Sequence, residues 1–251
     1  GALLGTTTAN GAGAWSFTPA SALGQGGHSF TVTATDAAGN VSGPSAAYAI
    51  TIDTAAPGVP VIASVTDDVG PITGVVANGG VTDDTLPVIA GTGAEANATI
   101  SVYDNGALLG TTTANGSGAW SFTPASALGQ GGHSFTVTAT DSAGNASAPS
   151  AAYAITIDTA APTVLTIATV TDDIGAITGV VADGGVTDDT RPAIAGTGAE
   201  ANATISIYDN GVLLGTTTAN GAGGWSFTPA SALGPGGHSF TATATDAAGN
   251  V

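Results

Sequence analysis

The sequence predicts an all-β protein made of tandem sandwich domains, and three observations predict it. The string Gly-Ala-Leu-Leu-Gly-Thr-Thr-Thr-Ala-Asn-Gly begins at Gly1 and Gly106 and returns from Gly211 with Val212 in place of Ala, a period of 105 residues. Apolar and small polar residues alternate with the period of two that marks half-buried strands. Turn sequences rich in Asn and Gly, which accept positive φ, separate those stretches. No apolar stripe of helical period is present, and about seven short strands in roughly 100 residues indicate an immunoglobulin-like β-sandwich for each repeat.

Taken in order, strands are expected over 59–66, 86–92, 98–104, 107–114, 119–123, 133–140 and 151–158. Thr99-Ile100-Ser101-Val102-Tyr103, Trp120-Ser121-Phe122, the run from His133 to Thr140, and Tyr153-Ala154-Ile155-Thr156-Ile157 carry the alternation. Asp104-Asn105-Gly106 and Asn115-Gly116 favour tight hairpins, and Leu128-Gly129-Gln130-Gly131-Gly132 gives a longer loop. Asp53-Thr54-Ala55-Ala56-Pro57 recurs as Asp158-Thr159-Ala160-Ala161-Pro162 and reads as the linker. Residues 1–57 are then the C-terminal part of one repeat, 58–162 a complete repeat, and 163–251 a repeat without its last strand. Residues 1–57 match 106–162 at 53 of 57 positions, and 58–146 match 163–251 at 72 of 89, so a reading of one unit transfers to the others. The expectation is a window on a longer array, its units stacked head to tail as a rod.

Eighteen carboxylates face a single cation, Arg191, for a formal charge of −17. Nucleic-acid binding needs clustered Lys and Arg and is excluded; anionic membrane surfaces are disfavoured for the same reason. No apolar run is long enough to span a bilayer, so no membrane insertion is expected of this segment. The chain has no cysteine, which removes disulfides, zinc thiolates and cysteine nucleophiles together. No Ser/His/Asp triad is arguable, since nothing orients the three histidines toward a nucleophile. An enzyme is not expected.

The position of the acidic groups is informative. Asp67, Asp68, Asp83, Asp84, Glu95, Asp104, Asp141 and Asp158 all fall at strand ends or in loops of the complete unit, which holds no Lys or Arg. Strand alternation puts Asp67-Asp68, Asp83-Asp84, Asp104 and Asp158 at the bottom of the unit, where the linker leaves. It puts Glu95 and the Asp141 to Asn145 loop at the top. Stacking brings bottom against top, so Asp158 should meet Glu200, Asp246 and Asn250, with the paired aspartates nearby. Two unit charges about 5 Å apart repel by roughly 3 kcal/mol at an effective dielectric near 20. A hard divalent cation would relieve this, and calcium, which takes six to eight oxygens from carboxylates, carbonyls and water, suits such loops better than magnesium or zinc. Asp172-Asp173 and Asp188-Asp189 repeat the pairs in the third unit.

Thr-Asp-Asp-Val-Gly (66–70), Thr-Asp-Asp-Thr-x-Pro (82–87), Ala-Gly-Thr-Gly-Ala (90–94), Asn-Gly-x-Gly-x-Trp-Ser-Phe (115–122), Gly-His-Ser-Phe-Thr-Val-Thr-Ala-Thr-Asp-x-Ala-Gly-Asn (132–145) and Ile-Asp-Thr-x-x-Pro (157–162) resemble bacterial Ig-like domains. In particular they look like the extender modules of giant repeats-in-toxin (RTX) adhesins, and the resemblance covers the whole chain. It implies an extracellular array on a bacterial cell surface, exported by a type I apparatus and stiffened by calcium, that projects a distal binding domain for attachment or biofilm formation. By position, the family's ligands would fall on the linker residues Asp53 and Asp158, the Asp-Asp pairs, and Asp36, Asp141 and Asp246 with Asn40, Asn145 and Asn250. The RTX nonapeptide itself is absent from the sequence.

Trp15, Trp120 and Trp225 each precede Ser-Phe and are read as core residues rather than sugar-stacking platforms. His28, His133 and His238 are read as partly exposed structural residues. The expected partners are neighbouring repeats of the same chain. Two alternatives stand beside the spacer reading: a carbohydrate-binding Ig-like module, and a subunit of a self-assembling extracellular filament whose incomplete repeats are completed by other chains.

Overall fold

The computed structural model describes residues 1–251 and contains strands and turns with no helix. In the first unit β1 (Gly26–Phe30) pairs antiparallel with β2 (Tyr48–Ile52), and no other strand forms. The second unit runs β3 (Val61–Asp67), β4 (Gly74–Val76), β5 (Gly80–Thr82), β6 (Val88–Thr92), β7 (Thr99–Asp104), β8 (Ala107–Thr113), β9 (Trp120–Phe122), β10 (Gly131–Thr140) and β11 (Tyr153–Ile157). The third follows as β12 (Thr166–Asp172), β13 (Gly179–Val181), β14 (Ala193–Thr197), β15 (Thr204–Asp209), β16 (Val212–Thr218), β17 (Trp225–Phe227) and β18 (Phe240–Thr245).

All seven strands expected in the second unit are present. Two more, β4 and β5, lie within the segment expected to be a plain loop. They sort into sheets of order β4-β3-β6-β9 and β5-β11-β10-β7-β8, the two layers of an immunoglobulin-like sandwich. Every pairing is antiparallel except β5 with β11, where Thr82 lies opposite Ile157. That parallel pair brings Asp83 beside the linker, and the Asp158 amide donates to the Thr82 carbonyl at 2.9 Å. The short Gly-Val-Val and Gly-Val-Thr runs form strands because β3 and β11 offer them open edges to pair with, a tertiary effect that local alternation does not carry. Tyr153 ties the layers together, its hydroxyl donating to the Val76 carbonyl at 2.6 Å.

The core follows the alternation. Val65, Ile89, Ile100, Val102, Phe135, Val137 and Ile157 are fully buried, and fifteen buried residues form one cluster between the layers. In the third unit the cluster has seven members, because no strand pairs with the outer edge of β18 as β11 pairs with β10. Trp120 and Trp225 are both about 95% buried, as the reading of them as core residues requires, whereas Trp15 in the two-stranded first unit is exposed. Each buried indole lies over a glycine of the neighbouring strand, Trp120 on Gly91 and Trp225 on Gly196, and a Cβ there would collide with the ring and with a backbone carbonyl, that of Val61 or Thr166. The first glycine of the Ala-Gly-Thr-Gly motif is therefore a packing requirement.

The histidines carry more than their sequence suggests. His133 Nδ1 lies 2.7 Å from Asp104 Oδ2, and its Nε2 lies 2.7 Å from the Gly129 carbonyl. His238 repeats this with Asp209 and Gly234. Both ring nitrogens face oxygen acceptors, the arrangement of an imidazolium that donates twice. For His133, burial alone would lower the pKa, but the Asp104 carboxylate and the Gly129 carbonyl outweigh it and the net shift is upward. For His238 the Asp209 hydrogen bond leads, followed by the Gly234 carbonyl, again upward.

Gly91→Ala should destabilise the second unit by at least about 3 kcal/mol in denaturant unfolding, while Gly132→Ala, with open space where its Cβ would lie, should be close to neutral. The histidine pairs set a pH signature. A raised folded-state pKa gives stability that is complete below the ordinary histidine value of about 6.5 and lost as pH rises through the folded value. Asp104→Asn should therefore lower Tm at pH 6, with the difference from the parent chain shrinking toward pH 9, and NMR titration should show His133 losing its proton at lower pH in the variant.

Candidate functional site

Three loops of the second unit converge at its lower end, where the linker departs. The turn after β3 carries Asp67 and Asp68, the turn after β5 carries Asp83 and Asp84, and β11 ends at Asp158. Two of these carboxylates are buried parts of the turns themselves. Asp67 accepts from the Thr82 hydroxyl at 2.5 Å and from the Val69 amide at 2.9 Å. Asp84, only 2% exposed, accepts from the Leu86 amide at 2.7 Å and from the Asp68 amide at 3.4 Å. Asx turns of this kind tie the carboxylates of Asp67 and Asp84 into the loop, with Asp68 and Asp83 beside them. Asp172, Asp189 and Thr187 repeat the knot in the third unit, with Thr187 Oγ1 donating to Asp172 at 2.5 Å and the Arg191 amide to Asp189 at 2.7 Å.

The top of the third unit closes on this end of the second. Asp246 accepts on Oδ1 from the amides of Ala248, Gly249 and Asn250, at 2.8 to 3.0 Å, and on Oδ2 from Asn250 Nδ2 at 2.9 Å. The knotted loop presents Asn250 to the linker, and Asn250 Nδ2 also donates to the Asp158 carbonyl at 2.8 Å. At the preceding joint Asn145 Nδ2 makes the same bond to the Asp53 carbonyl at 3.1 Å. Ala248 and Gly249 are buried, and the Cβ position of Gly249 is 3.5 Å from Asp83 Oδ2. The same loop positions in the second unit, Ala143 and Gly144, are exposed, as are Ala38 and Gly39 in the first. Only at the joint of the second and third units do a complete bottom and a complete top meet.

Asp83 is the group most affected. Its Oδ1 is buried with no hydrogen-bond partner. Its pKa is raised, first by burial and then by the charges of Asp67, Asp246 and Asp84, so residues of both units contribute. Asp188, its counterpart in the third unit, is exposed. By contrast Asp141 and Asp36 are held below the usual carboxylate range, chiefly by hydrogen bonds from the side chains of Asn145 and Asn40. The Asp-x-x-Gly-Asn turn is thus a self-contained knot whose Asn reaches across the joint.

Of the acidic and amide groups singled out in the sequence, the fold therefore gathers Asp67, Asp83, Asp84, Asp158, Asp246 and Asn250 at one joint, and Asp53, Asp141 and Asn145 at the other. Asp36 and Asn40 bond to each other at the top of the first unit. Asp68 and Asp173 are exposed on the turns, and Glu95 and Glu200 are exposed on the β6–β7 and β14–β15 loops with carboxylates that make no hydrogen bond. The side chains bring no three His, Asp or Glu groups into a cluster that would hold an ion. The donor chemistry at the second joint still suits a hard cation: it is all oxygen, it combines carboxylates of two units with the linker, and it leaves one buried carboxylate oxygen unsatisfied. Sequence reading placed Asp104 at the lower end without pairing it with His133, and it passed over the matching pair of Asp209 with His238, Thr82 and Thr187, and Gln25 and Gln130, whose amides touch the linkers.

The model of the bacterial Ig-like domain family matches residues 1–54, 59–159 and 164–251. Exoglucanase B of Cellulomonas fimi is 32% identical over 261 residues, covering 98% of this chain. The chain spans only 21% of that relative's length. Among solved structures, a tetra-tandem repeat from the extending region of a large adhesion protein aligns over 88% of this chain and 63% of its own, at 23% identity and a TM-score of 0.27. The BSP domain of a biofilm-associated protein aligns over 76% of this chain and 27% of its own, at 20% identity and a TM-score of 0.26.

The raised pKa of Asp83 means that, without metal, its charged form costs stability, a cost absent at low pH and imposed as pH rises through the folded value. In metal-free buffer at pH 7 Asp83→Asn should raise Tm, with the gain vanishing below about pH 4, whereas Asp188→Asn on the exposed turn should leave Tm unchanged.

Proposed function

We propose that this chain, which belongs to the bacterial Ig-like domain family, is a calcium-rigidified structural extender that holds a distal binding domain away from a bacterial surface for attachment or biofilm formation. The observation that carries this reading is the joint between the second and third units. There Asn250 of one unit grips the Asp158 carbonyl of the other, while Asp83 is pressed, with an unsatisfied buried oxygen, against the Asp246 loop.

The mechanism is electrostatic. Asp67, Asp83 and Asp84 on one unit and Asp246 on the next approach without any Lys or Arg to separate them, and the lone Arg191 belongs to the far end of the third unit. Calcium would take oxygens from Asp83, Asp246 and the linker residue Asp158, with Asp68 on the exposed turn free to swing in. Binding both units at once converts a hinge into a fixed joint, and preference for the folded, docked state adds stability of about 2.7 kcal/mol at a hundred times Kd. Asp53 with Asp141, and the third unit's Asp172-Asp173 and Asp188-Asp189 turns, would serve further joints in the same way. No helix of the chain is long and apolar enough to cross a membrane, and the localisation proposed is extracellular. Assignment to the RTX class of adhesins rests on the motif resemblance alone.

The carbohydrate-binding alternative finds less support. The indoles of Trp120 and Trp225, the rings best suited to stack on sugars, are core residues in the two sandwiches. The exoglucanase relative acts through a whole of which this chain matches about a fifth.

Small-angle scattering of the chain in calcium and then in EGTA tests the proposal. Calcium should raise Tm and sharpen the maximum dimension, and Asp83→Asn with Asp246→Asn should abolish both responses. An unchanged scattering profile and Tm would overturn it, and growth of scattering mass with concentration would favour the filament instead.

A further inference from the structure

We infer that Gln130 is a latch on the linker that leaves its own unit, a lock on the joint that works without metal. The inference rests on the spacer reading and adds a second element to it. The Gln130 amide spans two consecutive linker residues: Nε2 donates to Asp158 Oδ1 at 3.2 Å, and Oε1 accepts from Thr159 Oγ1 at 3.3 Å. The first unit repeats the arrangement, with Gln25 Nε2 on Asp53 Oδ1 at 3.3 Å and Thr54 Oγ1 on Gln25 Oε1 at 3.0 Å. The linker is already turned to receive it, since Asp158 Oδ1 also accepts from the Ala160 amide at 3.0 Å.

An exposed glutamine ordinarily loses more entropy than two such bonds return. Here the loop beneath it is fixed on both sides. Leu128 is buried and its amide donates to the Thr85 carbonyl at 2.9 Å, and the Gly129 carbonyl is held by His133, itself pinned to Asp104. The linker residue is consequently held from two directions, its side chain by Gln130 of the unit it leaves and its carbonyl by Asn250 of the unit it enters.

The third unit supplies the natural comparison. Its loop keeps Leu233, Gly234, His238 and Asp209 with their contacts, but carries Pro235 where the other two units have glutamine. The amide is therefore not needed to fold the loop, which leaves the linker as its role. Proline has no side-chain amide and cannot latch. One residue per repeat thus decides whether the linker's side chain is held by the unit it leaves, the Asn of the following unit holding its carbonyl in either case.

The chain has no cysteine, so spin labels can be placed cleanly through Thr111→Cys on β8 and Thr216→Cys on β16, exposed sites on either side of the joint. Pulsed dipolar distances are then measured in EGTA and in calcium. In EGTA, Gln130→Pro and Gln130→Glu, the latter nearly isosteric but repelled by Asp158, should each broaden the distribution and raise the population of bent joints about fivefold, with Tm unchanged. Distributions in EGTA that superimpose on that of the parent chain for both variants would overturn the latch. Narrowing by calcium in parent and variants alike would leave the cation proposal standing whichever way the latch falls; a latch effect with no calcium response would overturn the cation proposal alone.

Discussion

The organisation of this chain depends on how negative charge is accommodated where one sandwich ends and the next begins. With eighteen carboxylates and one arginine, ion pairing between side chains of ordinary type is almost unavailable. Three other solutions take its place. Asp67, Asp84, Asp141 and Asp246 are absorbed into turns, where backbone amides satisfy them, joined by a Thr side chain at Asp67 and by Asn side chains at Asp141 and Asp246. Asp104 and Asp209 are paired with histidines whose second nitrogen also donates, so the imidazole serves as the cation that the composition otherwise lacks. Asp83 receives neither treatment at the complete joint, and it is the carboxylate there whose pKa is driven upward.

Because the units are near copies, differences between them separate fold from function. Gly144 and Gly249 occupy the same place in the same knotted loop, yet only Gly249 is buried. Asp188 and Asp83 sit on the same turn, yet only Asp83 has an orphaned buried oxygen. In each case the local sequence is conserved between the copies and the environment changes with the presence of a docked neighbour. The perturbation of Asp83 therefore belongs to the joint between units and not to the sandwich.

Much of this was legible in the sequence, and the parts that were not share a cause. Alternation placed all seven strands of the complete unit, since each strand shows one face to the core. The direction of the strands then sent Asp83 and Asp158 to one end and Asp141 to the other. The short β4 and β5 were not legible, because three-residue runs such as Gly74–Val76 form strands only against edges supplied by β3 and β11. The Asp104–His133 pair joins residues 29 apart, and Gln130 reaches Asp158 across 28. Neither is visible to a local pattern. Glu95 and Glu200 lie in loops at the top of their units, yet their exposed carboxylates make no hydrogen bond, because strand direction fixes the end a residue occupies and not where its side chain points.

The two grips on the linker also constrain how a cation could act. Asp158 Oδ1 is already engaged by Gln130 and by the Ala160 amide, and the Asp158 carbonyl by Asn250. An ion joining the units would then find Asp158 Oδ2 as the linker's free oxygen, in a position set beforehand by neutral hydrogen bonds. Preorganisation of that kind would lower the ordering cost of binding, because the linker is held before an ion arrives. It also divides the work. On the proposed reading, the amides of Gln130 and Asn250 hold the linker from its two sides, and an ion bound by Asp83 and Asp246 would decide how firmly that arrangement is kept.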